Sequence, residues 1–242
     1  MTPAARERFE VRVPLALTSA VAWLVVLLEQ SCTALSVVCS AGMSWSPASL
    51  ALGWAVMLLA MMTPLLTGPV RYLWDRSFAE RRARAILLFL LGYGFLWMVA
   101  GSLLAVAALA RRSASGSSLP LVAAALVALV WQISPAKQFS LNRCHRQGEL
   151  AAFGWAADRD ALSFGLTHGF WCVGSCWALM LLPLLVPRGH VAAMAAVTVW
   201  VFAERLDRVM PPAWRWHGGA KAARIVVAQA RLCFGESGEF LL

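Results

Sequence analysis

The chain has 242 residues, 60% of them hydrophobic and only 14% charged, with a mean hydropathy of +0.69 and a formal net charge of +9. Soluble domains carry about 25% charged residues, so the composition argues against a soluble protein and for one embedded in lipid. Twelve Trp against two Tyr point the same way, because Trp favours membrane interfaces. The basic balance does not imply nucleic acid, since the charges fall in short loops between apolar runs, where they set orientation. The six cysteines are scattered, mostly in or near apolar runs, which speaks against a secreted disulfide framework.

A helical span needs about 20 mostly apolar residues. The first candidate, Val13–Cys39, follows Arg6, Arg8 and Arg12, and no A-x-A-type cleavage site succeeds it cleanly, so it reads as an uncleaved span. Glu29 and Gln30 lie deep in it, and a carboxylate there marks a polar path or an ion pair. The second, Pro47–Val70, carries Met57, Met61 and Met62 ahead of Thr63-Pro64. Pro64 should kink the helix and free a carbonyl near Ala60 for a neighbour or a water to satisfy. The third is Ala85–Ala110. The fourth, Leu119–Ser134, is short and closes on Pro135.

A basic loop from Trp131 to Arg159 comes next. In it Cys144 and His145 are adjacent, and the flanking Arg143 and Arg146 favour the thiolate. The fifth span is Ala161–Val186, and the sixth runs from His190 through Phe202 to Val209. Glu204, Arg205 and Asp207 read as an interface cluster at its end. Residues 213–234 carry Arg215, Lys221, Arg224 and Arg231 among apolar residues, the pattern of an interfacial amphipathic helix.

Eighteen of the 21 Lys and Arg fall on one side of this arrangement, leaving Arg111, Arg112 and Arg188 on the other. The positive-inside rule then puts both termini in the cytoplasm and favours an even number of spans. The expected fold class is an all-α polytopic membrane helical bundle of about six transmembrane helices, one integral membrane domain over residues 1–242.

The chemistry concentrates in the fifth span. His168, Cys172 and Cys176 are four residues apart, and on a helix each step of four turns by about 40°, so they form a drifting stripe along one face. Met180 continues the spacing. Imidazole and thiolate suit copper, zinc or iron, and added thioether favours Cu(I). Met61 and Met62, at similar depth on the second span, complete a soft donor set. Gly165 and Gly169 allow a close helix neighbour beside the stripe. Cys144 and His145 form a second, cytoplasmic donor or acceptor pair. No G-x-S-x-G, H-E-x-x-H, phosphate loop or dinucleotide fingerprint occurs, which favours a binding protein over an enzyme. Two alternatives remain: a membrane thiol–disulfide oxidoreductase using Cys172 and Cys176, which needs unwinding at Gly174, and a non-catalytic subunit of a membrane complex.

Met61-Met62-x-Pro64, Gly92-Tyr93-x-x-x-Trp97, Gln132-x-x-Pro135-x-Lys137, Arg143-Cys144-His145-Arg146 and Gly165-x-x-His168-Gly169-x-x-Cys172-x-Gly174-x-Cys176-Trp177-x-x-Met180 follow one another from the second span to the sixth. In order and spacing the chain resembles the bacterial predicted metal-binding integral membrane proteins of unknown function. The resemblance implies a multi-span protein of the bacterial inner membrane with a metal site. The donor chemistry puts copper before zinc or iron as the bound metal ion, and the expected partners are membrane lipids and a metallochaperone or membrane protein, with no nucleic acid. The chain departs from that pattern at Ser175, where paired cysteines are usual, and in the order Cys144-His145.

Overall fold

The computed structural model describes residues 3–35, 47–113, 119–186, 189–207, 209–216 and 224. Among them every regular element is helical: α1 (Pro3–Leu35), α2 (Pro47–Met62), α3 (Thr67–Arg76), α4 (Arg82–Ser113), α5 (Leu119–Ile133), α6 (Pro135–Cys144), α7 (Gly154–Leu185) and α8 (His190–Leu206), with 3-10 turns at Thr63–Leu66 and Ala79–Arg81. The chain is thus all-α, as expected. α7 is the centre. It packs most extensively on α4, and also on α5, α6 and α8, while α2 packs on α1, α4 and α8.

Three prolines and glycines shape the path. Pro64 ends α2 as its sequence demands, and the chain passes through the 3-10 turn before α3 resumes. The carbonyl of Ala60, four residues before the proline, is taken by Ser19 Oγ of α1 at 2.8 Å. Pro135 separates α5 from α6 with a bend of 67°. Ser134 caps α6, its hydroxyl accepting from Lys137 N at 3.2 Å, and Pro135 occupies the first turn, where a missing N–H costs nothing. Most of the start of the expected basic loop is therefore helix. The remainder, 145–153, leads to Gly154, whose φ of 70° suits glycine and starts α7 seven residues before the expected Ala161.

Among the described residues four helical stretches are long and apolar enough to cross a membrane: Phe9–Glu29, Ala48–Arg76, Ala79–Val106 and Gly154–Leu185. The bent α5–α6 pair makes a fifth if counted as one broken span. The expected sixth, α8, has 17 residues and ends at Leu206, at the short limit for a crossing. Leu24, Phe95, Leu103, Val106 and Leu126 are among many large apolar side chains left exposed on the outside of α1, α4 and α5. Glu29, expected deep in the first span, is exposed on α1. The expected amphipathic helix at 213–234 lies outside the described residues except for 213–216 and Arg224. Residues 213–216 are not helical and fold back, with Arg215 N donating to Ile133 O at 3.3 Å and Trp216 edge-on to Trp200.

Candidate metal centre

The site begins with the absence of side chains. A Cβ on Gly92 would lie 2.7 Å from Leu162 O and 2.9 Å from Leu166 N, and one on Gly165 would collide with Phe89 O. Gly169 is less tight, with Leu96 at 3.2 Å and the Tyr93 backbone at 3.3 Å from such a Cβ. These glycines let α4 and α7 touch backbone to backbone, the close neighbour that Gly165 and Gly169 signalled. The approach presses Tyr93 and Trp97 of α4 onto the face of α7 that carries the stripe. Tyr93 Oη lies 3.3 Å from Cys172 Sγ, and both residues are buried. One turn on, Cys176 Sγ donates to Cys172 O at 3.0 Å, and its residue is fully buried.

α8 supplies the charge. Arg205 Nη2 lies 3.2 Å from Cys172 Sγ and 3.4 Å from Ser175 Oγ, and the guanidinium also lies against Cys144. Of the expected interface cluster, Glu204 is interior, while Arg205 and Asp207 are half-buried. Glu204 is 2% exposed and pairs with Lys137 Nζ at 2.7 Å, itself 1% exposed. Gln132 bridges the two, and Trp200 Nε1 donates to the same carboxylate oxygen at 2.8 Å. Burial of a charge requires such a set of partners. Lys137 comes from α6 because the Ser134 cap turns that helix inward. The signal available beforehand was a Gln, a Lys and a Glu inside or beside apolar runs, where a polar side chain must find a partner.

The expected donors separate into four groups. Cys172, Cys176 and Cys144 are buried, free thiols gathered around Arg205 and Ser175. His168 is buried one turn nearer Gly154, with its ring 5.9 Å from Phe89 and Phe164 and 6.0 Å from Tyr93. Met61, Met62 and Met180 are fully buried in the same core as the thiols, together with Met194. His145 diverges from its neighbour Cys144: it caps the end of α6, exposed, with Nδ1 2.9 Å from Leu141 O. Arg143 does not face Cys144 either, but lies over the rings of Phe139 and Trp171.

Among the described residues no three His, Cys, Asp or Glu side chains stand close enough together to hold a metal ion. The stripe drifts as it climbs, so His168 turns into the aromatic rings of α4 and α7 while Cys172 and Cys176 turn towards α8. α7 is unbroken through Gly174, so the helix does not unwind there as a Cys172–Cys176 disulfide would require.

Residues 51–228, from α2 to beyond α8, match the family model described as PpoB2, copper chaperone. The chain belongs to this family. No curated protein and no solved structure matches it. For a PpoB2 copper chaperone the ion is cargo, and the donor chemistry fits it. Two thiols one turn apart, in a core that also holds Met61, Met62, Met180 and Met194, are soft groups that suit Cu(I) and not a hard cation. Cu(I) accepts a pair of soft ligands, so the lack of a three-ligand group does not disqualify the pair.

Proposed function

We propose that this protein is a membrane-embedded copper-handling protein of the bacterial inner membrane that carries Cu(I) on Cys172 and Cys176. The observation that carries the reading is the buried pair of thiols on α7 with Arg205 beside them, in a family described as copper chaperones. Met61, Met62 and Met180, buried in the same core, are the thioethers that would assist the pair. His168, one turn towards Gly154, stands on the path along the stripe. Cys144, against Arg205, and His145, at the exposed end of α6, are the donors for hand-over to a receiving metallochaperone or membrane protein.

Membrane insertion is supported by the four long apolar helices and by the apolar side chains left on their outer surfaces. Orientation with the basic loops in the cytoplasm is supported by Arg81 and Arg84, which pair with Asp158 at 2.8 and 2.7 Å and so bring the start of α4 and the start of α7 to one end of the bundle.

The test is metal content of full-length protein purified from membranes after growth in copper. The wild type should retain copper, and C172S/C176S should lose it. Equal copper in both proteins removes the proposal.

A further inference from the structure

We propose that Arg205 sets the charge selectivity of the thiol pair, so that it accepts a soft monovalent cation and rejects an equally soft divalent one. The inference rests on the reading of Cys172 and Cys176 as the copper ligands, and adds what chooses the ion.

Three observations carry it. The guanidinium is within 3.2 Å of Cys172 Sγ and reaches Ser175 Oγ on the same turn. The neighbouring carboxylate, Glu204, is taken up by Lys137 at 2.7 Å, with Gln132 and Trp200 on the same group. None of the ion pairs formed among the described residues includes Arg205. The Lys137–Glu204 pair is neutral as a unit, so the net charge facing the two thiols is that of Arg205, a group that does not give up its proton.

Binding replaces two S–H bonds with two S–metal bonds and releases two protons to water. Two thiolates and a monovalent ion leave one negative charge, which Arg205 cancels, and the buried centre is neutral. Two thiolates and a divalent ion are already balanced, so the half-buried Arg205 keeps the uncompensated charge it has beside two neutral thiols, and binding brings none of the relief that the monovalent ion brings. Softness alone does not separate the two cases, because thiolates take both kinds of soft ion. Cys144 takes part as a thiol: a third thiolate would shift neutrality to the divalent ion.

The test pairs Ag(I) with Cd(II), both thiophilic but of different charge. Full-length protein in detergent is offered equal amounts of each, desalted, and its silver and cadmium measured. The wild type should hold silver in excess. R205Q should lower the silver-to-cadmium ratio about tenfold or more, and R205K should keep it at the wild-type value. An unchanged ratio in R205Q, or a wild type that takes cadmium as readily as silver, overturns the inference. A fall of the ratio in R205K, which keeps the positive charge, also overturns the inference, so the test stands even if R205Q does not fold. A wild type that binds neither ion, or C172S/C176S protein that binds both, overturns the copper reading itself, a result distinct from a failure of selectivity.

Discussion

Lys137 Nζ and Glu204 Oε1 meet at 2.7 Å in the interior, joining the short helix after the Pro135 bend to the end of α8. The pair holds α8 where its next residue, Arg205, reaches the Cys172 thiol. A buried pair of this kind adds little over well-packed apolar residues, but losing one partner strands the other charge.

K137M or E204L alone should therefore destabilise the protein by about 3–5 kcal/mol, and K137M/E204L together by much less. Denaturant unfolding in detergent reads the difference. Single variants as stable as the wild type would show that the pair is not needed to hold α8.

The α4–α7 crossing depends on hydrogen atoms at Gly92 and Gly165. G165A places a methyl group against Phe89 O and should cost about 1–3 kcal/mol through the shift it forces. It should also lower copper retention, because Tyr93 and Cys172 are drawn apart. G94A is the control: nothing lies within 4 Å of a Cβ there, so copper should stay at the wild-type value and stability should not fall, Ala being the better helix former by about 0.5–1 kcal/mol. Equal effects from the two substitutions would refute the crossing.

Ser19 should matter only because Pro64 is present. S19A leaves the buried Ala60 carbonyl without its 2.8 Å donor, at a cost of about 1–3 kcal/mol. P64A restores a backbone N–H that can serve the same carbonyl, so S19A should cost less in a P64A background. A double-mutant cycle by thermal unfolding measures the coupling, and additive costs would contradict it.

The methionines are separable from the packing they provide. M61L and M62L nearly preserve volume and should each cost less than about 1.5 kcal/mol, while the double variant should retain less copper than the wild type. Undiminished copper in that variant would assign Met61 and Met62 to packing alone.

Much of the fold follows from local composition. Long apolar runs bounded by charge set the all-α class, because a backbone in lipid must satisfy its own hydrogen bonds. Pro64 and Pro135 break helices wherever they stand, and Gly165 with Gly169 announced a close neighbour without naming α4. The stripe from His168 to Met180 was visible as spacing. Whether its members converge was not, since that depends on which helices meet α7 on each side.

The centre itself is built from partners far apart in the chain. Tyr93 and Cys172 are separated by 79 positions, Lys137 and Glu204 by 67, and Cys172 and Arg205 by 33. No periodicity connects such pairs. By itself the sequence determined the long apolar helices, the breaks at Pro64 and Pro135 and the soft donors along α7, but not that 135–144 is helix. Only the tertiary structure decided that Arg205 turns inward to the thiols, that Cys144 joins them while His145 does not, and that His168 rests among aromatic rings. The reason is physical: a buried charge must be matched by whatever group packing brings beside it, and packing is settled by the whole bundle.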